Sequence, residues 1–115
     1  MNLGRTVEKY FLHLDAGEAD KATGMFDPKG LINAPWENAM SPMAFIQKHL
    51  ESAPIRAHKI MDVLVSESER SAAVHFEYSS KDGEGRDNPV FVGFDHFKFE
   101  PNGKIKVLSI YCHSK

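Results

Sequence analysis

One aspartate lies where the hydrophobic pattern of a strand would place an apolar side chain. Strict alternation over residues 90–100 assigns Asp95 to the more apolar of the two strand faces. The other residues of that face are Phe91, Gly93, Phe97 and Phe99. Desolvation raises the pKa of a carboxylate in such surroundings, and the neutral acid can then donate a hydrogen bond to a substrate oxygen that gains negative charge. The alternative is an Asp95 near the strand end that is solvated or bonded to the backbone.

A tyrosine supplies a second candidate donor. Tyr10 belongs to an apolar stripe with helical spacing, whose other members are Leu3, Val7, Phe11 and Leu14. A buried phenol needs a hydrogen-bond partner, so Tyr10 could point its hydroxyl into the same cavity as Asp95. A core tyrosine that is bonded to a backbone carbonyl is the simpler interpretation of the pattern alone.

The histidines and the cysteine do not have the spacing of a metal site. They are His13, His49, His58, His75, His96, His113 and Cys112. Asp95 and His96 are neighbours on a strand and therefore point to opposite faces, whereas His75 and His96 can share the outer face. Cys112 is expected to face the cavity, either as a substrate contact or as a small apolar filler. No metal ligand set is predicted.

The elements that must position these side chains fall into two groups. Apolar residues with a period near 3.6 predict helices at 3–14, 18–26 and 41–53, which Gly17 and Ser41-Pro42 help to delimit. After a short strand at 31–34, a period of two residues predicts strands at 55–66, 71–80, 88–100 and 104–113. Their connections are short and include an Asn-Gly hairpin signal, so the last four strands should form an antiparallel meander.

Helices that precede strands predict an α+β fold in a single domain, residues 1–115. Three N-terminal helices are expected to cover one face of a strongly curved, mostly antiparallel sheet and to leave a conical cavity for a ligand. The opposite face would expose Val90, Val92 and Phe94. We therefore expect a homodimer through the outer sheet face.

Composition argues against several classes of protein. The 115 residues carry 14 Lys and Arg against 16 Asp and Glu, a formal charge of -2, which predicts binding to neither nucleic acid nor a membrane surface. No apolar run reaches the ~20 residues of a membrane span, and the first residues lack the apolar core of a signal peptide. The single cysteine cannot form an internal disulfide, so a cytoplasmic location is expected.

Several segments resemble bacterial ketosteroid isomerases, in the same order along nearly the whole chain. The most specific is Phe94-Asp95-His96-Phe97-Lys98-Phe99, followed by Pro101-Asn102-Gly103-Lys104. The others are Lys9-Tyr10, Leu14-Asp15-Ala16-Gly17-Glu18, Met25-Phe26 and Phe76-Glu77-Tyr78. The wider group is the nuclear transport factor 2-like (NTF2-like) or SnoaL-like superfamily. The resemblance implies a cone-shaped, cystatin-like α+β barrel that often dimerises through its sheet and needs no cofactor.

The resemblance also implies roles for individual residues. It places the oxyanion-hole tyrosine of the family at Tyr10, its protonated aspartic acid at Asp95 and an apolar pocket position at Phe97. Together with Phe97, the expected contacts of a small hydrophobic ligand are Ile32, Ala34, Trp36, Val74, Phe76, Leu108 and Cys112.

The sequence departs from the family at the proton-shuttling aspartate, which immediately precedes a proline. That position is Ala34, before Pro35. Alanine cannot move a proton, although an enolate forms only when a base removes one. Glu37 is the nearest carboxylate that could act as a replacement base, and a solvated loop charge is the alternative interpretation.

These residues support functions of two classes. The first is a steroid delta-isomerase-like enzyme that holds a small ketone with Tyr10 and Asp95 and moves a proton with a replaced base. The second is a non-catalytic, dimeric binding protein that keeps both donors and has lost the base at Ala34. A different reaction of the superfamily, such as cyclisation or dehydration with its own base, is a third interpretation.

Overall fold

The computed structural model describes residues 2–115. This part of the chain contains three helices and six strands. In chain order they are α1 (Leu3–Asp15), α2 (Ala19–Thr23), β1 (Phe26–Ala34), β2 (Glu37–Met40), α3 (Pro42–Ser52), β3 (Ile55–Ser66), β4 (Ser71–Lys81), β5 (Phe91–Phe99) and β6 (Ile105–Ser114). Within residues 2–115, no helix is both long and apolar enough to cross a membrane.

The six strands form one curved sheet in the order β2-β1-β6-β5-β4-β3. β1 and β6 run parallel, and the other neighbouring pairs are antiparallel. α1 packs on β3 and β4, α3 contacts β1, and α2 lies against both longer helices. The helices therefore cover one face of the sheet. The predicted α+β class and the mostly antiparallel sheet are confirmed.

Local sequence explains where the two longer helices begin and where the first one ends. The side chain of Asn2 accepts a hydrogen bond at 3.0 Å from the backbone N–H three residues later and caps α1. Ser41 caps α3 in the same way at 3.3 Å, and Pro42 follows in the first turn, where its missing N–H costs nothing. Gly17 follows α1 with a φ of 74°, which glycine adopts without strain.

The region between α1 and α3 differs from the prediction. The predicted second helix extends through Phe26, but α2 is shorter because Phe26 pairs with Ile105 and begins β1. The sequence predicts no strand at Glu37–Met40, yet β2 pairs with the end of β1. Asn33 Oδ1 accepts a hydrogen bond from the Ala39 N–H at 2.7 Å and holds the connecting turn. Pairing with distant strands, rather than local periodicity, determines both elements.

The last strands follow the prediction except at the start of β5. The sequence predicts a strand from residue 88, whereas β5 begins at Phe91. Asn88 bonds back to the end of β4 instead, because its backbone N–H donates to Ser80 O at 2.9 Å and its side chain donates to Ser80 Oγ at 3.0 Å. An ion pair of 2.6 Å between Lys81 and Asp87 closes the base of this loop.

The core lies between α1 and the inner face of the sheet. The predicted alternation of β4 and β5 is confirmed, since every second residue is buried along β4 and, from Gly93 onward, along β5. All five residues of the predicted α1 stripe are buried as well. Tyr10 and Phe97 are among the largest fully buried side chains, and their rings meet edge to face with centroids 5.6 Å apart.

The outer face of the sheet carries aromatic side chains on three adjacent strands. Phe94 lies directly between His75 and Tyr111 in the sheet register. The side chains of Phe94 and Tyr111 are 47% and 64% exposed, and the rings of His75 and Phe94 stack with centroids 4.7 Å apart. Val90 and Val92 are half-buried, so the prediction that they are exposed is wrong.

Candidate functional site

A cavity of about 660 Å³ lies between the inner sheet face and the helices α1 and α3. Much of its wall is apolar, and a volume of this size accommodates a small organic ligand. The apolar part of the wall includes Phe11, Phe45, Phe76, Phe91 and Ile110. Three polar side chains of the same wall, Tyr10, Asp95 and His58, belong to two pairs that are described below.

Asp95 is the buried carboxyl that the alternation predicts. It is 4% exposed and lines the cavity. Among the residues that the structure describes, its Oδ1 atom has no hydrogen-bond partner. Burial raises the pKa of Asp95 from 3.8 to about 8, because the charged form cannot be hydrated there. At neutral pH this side chain is therefore an acid that can donate its proton to a hydrogen bond.

Tyr10 lines the same cavity as Asp95. Its side chain is 1% exposed, and its ring contacts Phe11 and Phe26 edge to face, with centroids 5.4 and 5.7 Å away. Burial raises the pKa of Tyr10 well above its usual value, and the negative charge of Asp95 raises it further. Both side chains thus carry a hydrogen at neutral pH. We refer to Tyr10 and Asp95 as the acid–phenol pair.

The cavity wall contains only part of the expected set of ligand contacts. Trp36, Phe76 and Cys112 line the cavity. The other expected contacts, which belong to the surrounding core instead, are Ile32, Ala34, Val74, Phe97 and Leu108. They are at most 7% exposed, and α1 covers the sheet closely where most of them lie. Alternation therefore predicts correctly that these side chains point inward, but it does not show where helix packing leaves space.

The rim of the cavity contains the predicted replacement base. Ala34 ends β1 and is followed by Pro35, and Glu37 begins β2. Glu37 is exposed and lines the cavity. Trp36 also lies at the rim and is 66% exposed, so its ring does not close the opening.

A histidine and a carboxylate form a second polar pair at the cavity. His58 on β3 lines the cavity, and its Nδ1 atom lies 2.6 Å from Oδ1 of Asp15, the last residue of α1. Oδ2 of Asp15 accepts a hydrogen bond at 2.9 Å from the backbone N–H of His58. The carboxylate therefore holds both the ring and the backbone of one residue. We refer to His58 and Asp15 as the histidine–carboxylate pair.

His49 and Tyr78 border the histidine–carboxylate pair. In residues 2–115, neither Nε2 of His49 nor Oη of Tyr78 has a hydrogen-bond partner, although both atoms are buried. Burial, followed by the positive charges of His58 and Arg56, lowers the pKa of His49 from 6.5 to about 4, so the ring is neutral near pH 7. Burial raises the pKa of Tyr78. Buried polar atoms are normally satisfied, so these atoms mark places where a ligand can supply a partner.

The sequence pattern does not single out His58 as a site residue. Alternation on β3 is a usable signal, since Arg56, His58 and Ile60 are half-buried and the residues between them are exposed. However, apolar residues occur on both faces of β3, so the pattern does not choose the inner face. The pairing with Asp15 spans 43 residues, and no local motif reports such a contact.

The chemistry of the site is that of hydrogen-bond donors and a proton acceptor. The acid–phenol pair offers two donors, and the imidazole of His58 offers an acceptor. In the described part of the chain, no group of three or more His, Cys, Asp or Glu side chains is placed to hold a metal ion.

Comparison with known proteins identifies the fold but no closer relative. Neither a protein-family model nor a curated protein matches the sequence. An NTF2-like protein of unknown function from Exiguobacterium sp. 255-15 has a TM-score of 0.80 and 17% identity, over 96% of this chain and 99% of its own. SalBIII, an epoxide hydrolase/cyclase-like enzyme with a role in pyran ring formation in the polyether salinomycin, has a TM-score of 0.80 and 15% identity, over 96% of this chain and 90% of its own.

A third solved structure connects the chain with the cystatin fold by name. An uncharacterised cystatin fold protein from Novosphingobium aromaticivorans has a TM-score of 0.82 at 9% identity, over 96% of this chain and 98% of its own. Identities this low demonstrate a shared backbone rather than a shared activity. The chain therefore has the cystatin-like α+β fold of NTF2-like proteins, as its sequence predicts.

Proposed function

We propose that this protein binds a small hydrophobic ketone, such as a steroid-like enone, and holds the carbonyl oxygen with the acid–phenol pair. The observation that carries the proposal is Oδ1 of Asp95, which is buried in an apolar cavity wall without a partner in residues 2–115. An unsatisfied buried polar group costs about 1–3 kcal/mol. A ligand oxygen that accepts its hydrogen bond would remove this cost.

The acid–phenol pair suits an oxygen that becomes more negative during a reaction. Removal of a proton from a carbon conjugated with the carbonyl converts the ketone into an enolate, and donors in an apolar site stabilise that charge strongly. Return of the proton to a different carbon moves the double bond. The proposed activity is therefore allylic isomerisation, the reaction of the ketosteroid isomerases that the sequence resembles. This scheme requires a base, and Glu37 is the candidate that the sequence suggests.

A non-catalytic binding protein is the second candidate, and Ala34 is the observation that favours it. The site keeps two donors for an oxyanion, whereas the position of the family base holds a methyl group. Such a protein would bind ketones or phenols without converting them.

Titration with phenols of graded acidity tests the donor pair, because a phenolate resembles an enolate. Affinity should increase as the phenol becomes more acidic. Tyr10→Phe and Asp95→Leu should each weaken binding at least about tenfold, or about 1.4 kcal/mol. Tyr111→Phe and Asp20→Leu change the same residue types at exposed positions and should leave the affinity unchanged. Equal affinities in all four variants would contradict the proposal.

Turnover separates the two candidates. A β,γ-unsaturated ketosteroid becomes a conjugated enone on isomerisation, and its absorbance reports the reaction directly. Turnover that requires the acid–phenol pair supports the enzyme, and its loss in Glu37→Gln would assign the base to Glu37. Phenol binding without turnover, together with activity gained in Ala34→Asp, supports the binding protein.

We also propose that two copies of this chain associate through the outer sheet face. Phe94, Tyr111 and His75 form a continuous aromatic patch there, because their strands are adjacent and paired in register. Burial of this patch would remove apolar surface from water. A two-fold axis would place the same patch of both copies in contact.

A further inference from the structure

The histidine–carboxylate pair has the arrangement of a general base, and we propose that His58 moves the proton in the reaction of this cavity. Asp15 is then the positioning residue of His58. The inference rests on the proposed binding of a ketone and supplies the base that Ala34 cannot provide. His58, held by Asp15, then takes the role of the base, for which the sequence suggests Glu37.

The contacts of Asp15 determine which nitrogen of His58 is free. A carboxylate only accepts hydrogen bonds, so Nδ1, 2.6 Å from Asp15 Oδ1, carries the ring hydrogen of the neutral imidazole. Nε2 then keeps its lone pair and can accept a proton. The two nitrogens flank Cε1, and their hydrogen-bonding directions diverge widely. His58 lines the cavity whereas Asp15 does not, so Nε2 is the nitrogen on the cavity side.

The surroundings hold the imidazole in place. Arg56 donates a hydrogen bond from Nε to the carbonyl of Leu14 at 2.7 Å and another from Nη1 to the carbonyl of Ala53 at 2.8 Å. These bonds connect β3 to the end of α1 and to the end of α3. The side chain of His58 is 7% exposed. Its ring packs on Tyr78 and Phe11 with centroids 4.6 and 4.8 Å away. A base that is already oriented needs little rearrangement before proton transfer.

The other candidate bases each lack one property of His58. Glu37 lies at the exposed rim and is not held by a partner in residues 2–115. His13 has a comparable contact, 3.1 Å from Glu18, but does not line the cavity. His49 lines the cavity, yet burial lowers its pKa to about 4 and makes it a weak base. His58 combines a carboxylate partner, burial and access to the ligand.

The position of His58 relative to Asp95 restricts the substrate. In the sheet register His58 pairs with Tyr78, and Asp95 pairs with Val74. Tyr78 and Val74 are four residues apart on β4, so the levels of His58 and Asp95 differ by about 13 Å along that strand. β3 and β5 lie on either side of β4, about 10 Å from each other. The inward reach of the side chains and the curvature of the sheet shorten this gap. The geometry favours an elongated conjugated ketone whose acidic C–H lies at the γ carbon or farther from the oxygen.

The proposed step balances without a co-reactant. Nε2 of His58 forms a bond to the proton as the C–H bond breaks, and the electron pair moves along the conjugated carbons to the oxygen. The acid–phenol pair stabilises the resulting enolate. The imidazolium of His58, held by Asp15, returns the proton to a different carbon and regenerates the neutral imidazole. The product is an isomer of the substrate.

Deuterium uptake from the solvent tests this step directly. The probe is an α,β-unsaturated 3-ketosteroid incubated in D₂O with the full-length protein, and NMR identifies the labelled carbon. We expect exchange at the γ carbon, and His58→Gln should lower its rate about 10²-fold or more, as loss of a general base does. His13→Gln is the matched control, since it alters a carboxylate-bound histidine outside the cavity and should leave the rate unchanged.

A second set of variants separates catalysis from folding. His58→Ala should regain exchange when imidazole is added, which a merely misfolded variant would not do. Asp15→Asn should lower kcat more than it changes KM, because the imidazolium that forms during proton transfer loses its carboxylate partner while the ligand contacts stay in place. The polar groups around His58 are Asp15 from α1, His49 from α3, Tyr78 from β4 and Arg56 on β3 itself.

Three results would overturn the role of His58. They are an unchanged exchange rate in His58→Gln, a loss of exchange in Glu37→Gln instead, and no exchange at any carbon with the wild-type protein. The phenol titrations of Tyr10→Phe and Asp95→Leu are independent of His58. If phenol binding depends on Tyr10 and Asp95 as expected, any of these three results refutes only the role of His58 as the base. If Tyr10→Phe and Asp95→Leu leave phenol affinity unchanged, the proposed function itself is refuted.

Discussion

Burial of Asp95 couples the ligand site to folding. The unfolded chain ionises this carboxyl near its usual pKa of 3.8, whereas burial raises the pKa in the folded protein to about 8. Between these values only the folded state holds the proton, so the free energy of unfolding decreases with rising pH, by about 1.4 kcal/mol per pH unit. His49 has the opposite effect between about pH 4 and pH 6.5, because there only the unfolded state binds a proton on this ring, and the free energy of unfolding therefore increases with pH. The contributions of Asp95 and His49 largely cancel below pH 6.5, so the free energy of unfolding decreases mainly between pH 6.5 and about 8.

Asp95→Asn should remove the decline above pH 6.5, because an amide does not titrate. Between pH 6.5 and about 8, the free energy of unfolding of the variant relative to that of the wild type should increase by roughly 2 kcal/mol. Urea denaturation at several pH values measures the difference. Asp20→Asn, at an exposed position of α2, is the control and should follow the wild-type curve. Parallel curves for Asp95→Asn and the wild type would refute the link between burial and protonation.

The sequence predicts the acid–phenol pair better than the histidine–carboxylate pair for a physical reason. Asp95 interrupts an apolar strand face and Tyr10 lies on an apolar helix stripe, so local periodicity alone places both of them inward. His58 and Asp15 meet only because α1 packs against β3. A contact of this kind depends on tertiary packing, which the spacing of residues in one segment does not encode.

At the scale of the elements, Gly93 on β5 lies against β6 with no room for a side chain. A Cβ at this position would lie 2.7 Å from the Cβ of Cys112, so even alanine requires the strands to shift. We expect Gly93→Ala to lower the free energy of unfolding by about 1–3 kcal/mol. Phenol affinity should fall as well, because Cys112, which makes this contact, and Asp95, two residues along β5, both line the cavity.

Gly83→Ala is the matched control for this substitution. Gly83 lies in the β4–β5 loop, where an added Cβ would meet no described atom within 4 Å. Urea denaturation should therefore distinguish the two alanine variants. Equal stabilities would show that the strands tolerate the extra carbon and that Gly93 is not needed for close packing.

The elements themselves show which parts of the fold are encoded locally. The capped helices α1 and α3 and the last four strands follow from periodicity and turn residues. β2 and the start of β1 do not, since their partners are the end of β1 and Ile105 on β6. The shape of the cavity is likewise not predictable from alternation. Val74 and Phe97 point inward as expected, but α1 packs over them and leaves no space for a ligand.

At the scale of the whole molecule, the aromatic patch on the outer sheet face predicts a homodimer. Sedimentation equilibrium should give twice the monomer mass for the wild type. Tyr111→Glu places a charge in the patch and should yield a monomer, since the contact would have to bury that charge. Leu12→Glu alters another exposed residue, on α1, and should remain dimeric. A monomeric wild type, or dimers in both variants, would exclude this interface.

The central claim is that the cavity offers an uncharged carboxylic acid to its ligand at neutral pH. The most direct measurement is the pH dependence of the ¹³C chemical shift of the Asp95 carboxyl, assigned by its absence from the spectrum of Asp95→Asn. The structure predicts a titration midpoint near pH 8. A midpoint near the ordinary value of 3.8 would mean that the group is ionised at neutral pH, and the proposed ketone site would then be contradicted.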